Sequence, residues 1–164
     1  MVRETRGASS ADSLFNSAVN AAYASAKSID IVRVAANYAF SDVTLGGYYS
    51  DSRYAADAAS RFTRTQVYRN APVYGVWQAT AAVLMELGDN FLKASGDSSA
   101  RYRQVSLAGA HALGKRTDLY GVLGYTHASG SNGLGAAQGA VGATSVDAGG
   151  PSQARANLGI RHRF

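Results

Sequence analysis

Three histidines, His111, His127 and His162, are the side chains best suited to bind a metal or move a proton near neutral pH. They lie far apart without a ligand-like spacing, and the chain has no Cys, so thiolate metal sites and thiol nucleophiles are excluded. Glu86 and Asp89 could make an acid–base pair on a helix, but three residues apart in an extended chain they point to opposite faces. Ser106 lacks the Gly-x-Ser-x-Gly surroundings of a nucleophile elbow. Gly109, Gly114 and Lys115 approach a phosphate-binding loop. However, Arg116 stands where Ser or Thr must hold Mg²⁺, and a strand-like pattern follows where a helix is needed. Gly133, Gly135 and Gly139 miss the dinucleotide spacing. These constellations predict no enzyme, no cofactor and no metal.

The basic residues are more informative. Lys and Arg total 16 against 11 Asp and Glu, a formal net charge of +5, which suits nucleic acid, an acidic surface or an anion path. What the cations do depends on the elements that carry them. The longest strictly apolar run, residues 81–85, is far short of the roughly 20 residues of a membrane helix. Periodicity is two instead. Val32, Val34, Ala36, Tyr38 and Phe40 alternate with Arg33, Ala35, Asn37 and Ala39, and after Ser41-Asp42 the set Val43, Leu45, Gly47 and Tyr49 alternates in turn, which predicts a hairpin. The pattern recurs over 104–113 and 119–126, and again in Ala154, Ala156, Leu158, Ile160, His162 and Phe164. Weaker runs lie near 67–78 and 83–93. Seven strands of about ten residues are expected, in an all-β antiparallel up-and-down arrangement.

Short turns at 41–42, 79–81 and 114–117 alternate with long polar segments at 51–63, 95–101 and 129–151, so the two ends of the meander differ. One strand face is apolar, with Tyr, Phe and His near the strand ends; the other carries Arg, Asn, Gln and Ser. This matches a transmembrane β-barrel, apolar outside and polar within. A soluble sandwich would need the Ala and Gly positions to fill a core, which they do poorly. In a barrel, Arg33, Arg155, Arg161 and Arg163 face the lumen, where their field attracts anions. Asn37, Glu86, Gln104, Tyr120 and Asn157 are further pore-lining candidates. The alternative for the arginines is a solvated face without a role in selectivity. Asp89 falls among lipid-facing positions and departs from the pattern. Residues 1–28 are expected to be loop-like or irregular and 29–164 to hold the strands. No apolar segment follows the charged N-terminus, so the chain shows no secretory signal.

The last strand, residues 156–164 ending in Phe164, resembles the closing strand of general porins of the Gram-negative outer membrane. Residues 102–107, 113–120 and 127–130 resemble the preceding hairpin, closest to the beta-proteobacterial type, and residues 34–40 with 46–50 resemble an earlier one. The resemblance spans 29–164. It implies a C-terminal part, about seven strands, of a sixteen-stranded barrel that works as a homotrimer in outer-membrane lipid. Its activity would be passive diffusion of small hydrophilic solutes. It also implies that the barrel-assembly machinery reads Phe164 with His162, Ile160 and Leu158. In the family a loop from the N-terminal half folds inward to constrict the pore, and that half has no counterpart here. The chain is therefore expected to be a fragment or truncated form of a porin. Two alternatives stay open: a remnant of a porin gene without function, and a structural outer-membrane barrel without a pore, in which residues 14–27 would supply an eighth strand although 14–19 alternate poorly. A soluble nucleic-acid-binding β protein is disfavoured. Its Tyr residues should share a face with Arg, whereas Tyr48 and Tyr120 alone are expected on the polar face.

Overall fold

Alternating branched and aromatic residues put the chain into hairpins, and the first sets the frame. Strand β2 (Ser28–Phe40) pairs with β3 (Val43–Ala55) from Ser28↔Ala55 to Phe40↔Val43. Ser41, at φ 49°, supplies the left-handed residue that a two-residue hairpin requires. The computed structural model describes residues 1–5, 19–142 and 148–164. The strands β4 (Gln66–Thr80), β5 (Val83–Ser95), β6 (Arg101–Ala112), β7 (Thr117–Ser129) and β8 (Ser152–His162) follow in order. A short β1 (Val2–Thr5) pairs with the start of β2, so eight strands form one antiparallel sheet in sequence order. No helix among the described residues is long and apolar enough to cross a membrane.

The architecture is the expected one with three corrections. Among the described residues the count is eight strands rather than seven, because β1 lies inside the stretch expected to be irregular. Of residues 14–27, considered for an eighth strand, 14–18 lie outside the described residues and 19–27 form turns and a 3-10 helix rather than a strand. β3 runs on to Ala55, through residues expected to begin a loop. The β4–β5 turn falls at 81–82 rather than 79–81. The register slips between Gln78 and Thr80, and the Thr80 hydroxyl accepts the Ala82 and Val83 N–H groups at 3.2 and 3.1 Å. Pro72, which has no N–H, sits where the β3–β4 ladder lapses between Gly47↔Val73 and Ser50↔Asn70.

Side chains opposite one another in a ladder share a face, so the registers sort the whole sheet. One face carries the even positions of β2 and β8 and the odd positions of β3 to β7. From the short turns upward it is apolar for about four successive outward positions, for example Val43, Leu45, Gly47 and Tyr49, or His111, Gly109, Leu107 and Val105. At ~3.3 Å per residue and a tilt of about 40°, that makes a band about 20 Å tall. Its large residues are bare: Val34 is 71% exposed, Leu45 58% and Leu158 89%. The buried core lies instead on the opposite face, at the long-loop end, around Tyr23, Ile29, Tyr54, Phe62, Tyr68 and Tyr102.

Candidate functional site

The polar face is the candidate site. Arg33↔Ser50, Ser50↔Asn70 and Asn70↔Leu92 carry it from β2 to β5, and Leu92↔Tyr102 and Tyr102↔Ala128 carry it on to β7. Gly124↔Arg155 continues it to β8. By these registers Arg33, Asn37, Glu86, Gln104, Tyr120, Arg155, Asn157 and Arg161 share one face. Arg163 lies just past β8, its backbone N–H donating to the Arg116 carbonyl at 2.9 Å.

Several of these side chains are already engaged. The Arg33 guanidinium lies over the Tyr48 ring, 4.4 Å from its centroid. Tyr74 donates its hydroxyl to Asn37 Oδ1 at 2.7 Å, and Gln104 Oε1 accepts the Thr126 hydroxyl at 3.3 Å. Arg155 Nε donates to Asn157 Oδ1 at 3.3 Å. Arg161 pairs with Asp118 directly opposite, Nη2 to Oδ2 at 2.7 Å, so its charge is largely cancelled locally. Glu86 has no acceptor or donor partner among the described residues, and it faces a cavity of about 220 Å³ beside Tyr120 and Arg161. The charges left without an ion-pair partner among the described residues on the strands of this face are Arg33, Arg155, Glu86 and, on β1, Glu4.

The expectation that Tyr48 and Tyr120 alone join the polar face is overturned. Tyr54, Tyr68, Tyr74 and Tyr102 share it. The reason is a covering that the alternation does not reveal. Residues 19–27 fold onto this face, and their 3-10 turn (Ala21–Tyr23) drives Tyr23 into full burial. Its ring meets Phe62 edge-on at 4.9 Å and Tyr68 at 6.0 Å, and Tyr54 meets Tyr68 at 5.4 Å. Tyr68 donates its hydroxyl to the Val19 carbonyl at 3.0 Å, and Tyr23 donates to Asp97 at 3.3 Å. Burial pushes the Tyr23 hydroxyl above its ordinary pKa, so it stays a donor.

A second segment descends beside the first. The Gly142 N–H donates to Gln104 Oε1 at 2.8 Å and the Val141 N–H to Gln153 Oε1 at 2.6 Å, which seats Val141 over Gly124. The two segments meet at Gly133 (φ +91°), where an added Cβ would stand 2.7 Å from the Tyr23 hydroxyl oxygen. The polar face is thus roofed at its long-loop end and open toward the short turns. The sequence signal was a lone aromatic among small residues, Ala21, Ala22, Tyr23, Ala24 and Ala26, the composition of a segment that packs closely.

The histidines, Asp89 and the alternating row of β8 lie on the apolar face. His111 and His162 sit near the short-turn end, with His162 Nδ1 2.8 Å from the Thr117 hydroxyl and its ring edge-on to Phe164 at 5.0 Å. Leu158, Ile160 and His162 alternate outward along β8, and Phe164 follows at the same parity. His127, at the long-loop end, lies 3.0 Å from the Ser152 hydroxyl. Asp89 is on this face as expected, but its departure is compensated by Arg103, one strand across, with Nη2 2.8 Å from Oδ2.

Comparison with known proteins places this geometry. A family model described as Gram-negative porin matches residues 4–131. Among solved structures, the anion-selective porin from Comamonas acidovorans matches with TM-score 0.66 and 24% identity, over 84% of this chain and 40% of that one. The outer-membrane expressed OmpT of Vibrio cholerae matches with TM-score 0.64 and 16% identity, over 82% of this chain and 41% of that one. The chain therefore spans about two-fifths of the length of these structures. No curated protein matches it in sequence.

Proposed function

The chain belongs to the Gram-negative porin family, and from that premise we propose that its strands form part of the wall of an outer-membrane channel for passive diffusion of small hydrophilic solutes. The observation that carries this reading is the two-faced sheet. A bare apolar band on one side suits hydrocarbon, and on the other a face with Arg33, Arg155 and Glu86 unpaired suits water. Family membership points to a channel rather than an enzyme. Residues 29–164 are the wall-forming unit; 1–28 contribute the short β1 and the segment that folds within. Asn37, Gln104, Tyr120, Asn157, Arg161 and Arg163 complete the solute-facing set.

The remaining strands of the wall close the barrel, three barrels assemble, and the outward row Leu158, Ile160, His162 and Phe164 is read by the assembly machinery. The roof of residues 19–27 and 130–142 narrows the passage from within this chain. Arg33, Arg155 and Arg163 outnumber Glu4 and Glu86, so the wall favours anions.

In the assembled channel, Arg33→Ala/Arg155→Ala moves the reversal potential under a KCl gradient toward the cation side. An unchanged potential sinks the role of these arginines in selectivity. A channel that shows no conductance for chloride or small sugars sinks the diffusion reading itself. Unboiled samples run on gels as a band larger than one barrel; a single-barrel band removes the trimer.

A further inference from the structure

We propose that the polar face carries, near the short turns, a binding site for a small aromatic amine, an apolar ring with a short arm ending in ammonium. The site begins with a gap in the polar wall. Leu84, Ala110 and Tyr120 stand side by side on β5, β6 and β7, and so do Glu86, Ala108 and Val122 in the next inward row. Four of these six are aliphatic, although they point to the face that elsewhere carries Arg33, Asn37 and Gln104. An aliphatic cluster turned to water gains by being covered.

The two alanines make the depression. Between larger neighbours on β5 and β7 their methyl groups floor the cavity of about 220 Å³. Tyr120 widens it, because its ring is drawn over Gly159 on β8 and so away from Ala110, and the ring stays 43% exposed. Asp118 and Arg161 at the rim satisfy each other, Nε to Oδ1 at 3.1 Å and Nη2 to Oδ2 at 2.7 Å. Glu86 is exposed and unpaired, so among the described residues it sets the sign of the cavity.

This arrangement selects its ligand by shape and charge. β5 and β7 are two strand spacings apart, about 10 Å. A six-membered ring resting on the alanines meets Tyr120 on one side, and a two-carbon arm brings its ammonium to Glu86 on the other. A neutral molecule of that shape gains the floor and the ring but not the carboxylate, and an anion is repelled by it. The inference rests on the reading of this face as solute-facing and names a solute class for it.

The full chain, with carbon-13 in its alanine methyl groups, is refolded in zwitterionic detergent micelles and titrated at neutral pH with phenethylammonium. The Ala108 and Ala110 methyl resonances report occupancy. Both shift saturably with phenethylammonium, phenethyl alcohol binds roughly 5-fold more weakly, and phenylacetate gives no saturable shift. Glu86→Gln lowers the affinity for the ammonium to that for the alcohol and leaves the alcohol unaffected. Ala108→Leu, which fills the floor, abolishes the saturable shift of Ala110 with either ligand. Equal affinity of the wild type for the ammonium and the alcohol overturns the site, as does wild-type binding by Glu86→Gln or tighter binding of phenylacetate. A saturable shift that persists in Ala108→Leu overturns it too, since the ligand would then sit elsewhere. The channel reading fails separately. An assembled channel that passes neither chloride nor small sugars sinks diffusion while the methyl shifts still support the site, and a conducting channel whose chain gives no saturable shift sinks the site alone.

Discussion

Glycine at 159 is there to admit a ring. Tyr120 lies flat over it, with Cζ and the hydroxyl oxygen closer to the site of an added Cβ than any real contact allows; Gly46 receives Tyr74 in the same way. An aromatic laid over a glycine across a ladder fills the gap and pins the register. Gly159→Val therefore pushes Tyr120 off its seat and costs about 1–3 kcal/mol. The loss appears as a lower urea midpoint in detergent, and Gly159→Val/Tyr120→Ala recovers part of it because the two sites are coupled. Additive losses in the double variant would show that the ring is not seated there. Asp89 teaches a related lesson. Read alone it is an acid misplaced on a lipid face, and its compensation by Arg103 is visible only once β5 and β6 are in register. Partners fourteen residues apart leave no mark on a period-two pattern.

At the scale of the strand, the legible and illegible parts divide at one level of the sheet. Near the short turns apolar residues point out and polar ones in, as in Val34, Arg33 and Asn37, and there the alternation predicted the strands and both faces. Toward the long loops the phase inverts: Ile29 and Ile31 point in while Asp30 points out, and Tyr54 points in between the outward Arg53 and Ala55. In β4 Tyr68 points in and Arg69 out, and in β6 Tyr102 points in between Arg101 and Arg103. Each strand passes from hydrocarbon to a polar level outside, and from a wet wall to a roofed core inside, so both faces change character together. A strand whose hydropathy phase flips reads as a strand that ends, which is why residues 51–55 looked like loop. The roof responsible is held by Tyr23. Tyr23→Ala removes a fully buried ring and costs about 3 kcal/mol, enough to free residues 19–27 from the polar face. Trypsin should then cut at Lys27 faster than in the wild type, and the assembled channel should conduct more. Unchanged cleavage would mean that the segment is held by its backbone bonds, such as Lys27 N–H to the Ala55 carbonyl at 2.8 Å.

For the whole molecule, the sheet's two ends decide whether there is a channel. Among the described residues, β1 covers only residues 28–31 of β2, so the ladder side of β2 from Val32 to Phe40 has no partner strand, and neither does one side of β8 along its full length. These edges flank the apolar band, where hydrocarbon offers no hydrogen bonds and each unmet N–H or C=O costs several kcal/mol. A sheet in that state cannot rest open in a bilayer. Either further strands, in the same chain or another, close it, or the edges find one another in aggregates. Residues 1–164 added alone to a planar bilayer should therefore give no stable conductance steps, and in membranes should give no band that shifts on heating. Supplying the strands that complete the barrel should restore both. Discrete, long-lived steps from residues 1–164 alone would show that copies of this chain close on each other, β8 of one against β2 of the next. The lumen would then carry Arg33 and Arg155 from every copy, and Arg33→Ala/Arg155→Ala should move its reversal potential further than in a barrel that carries each of them once.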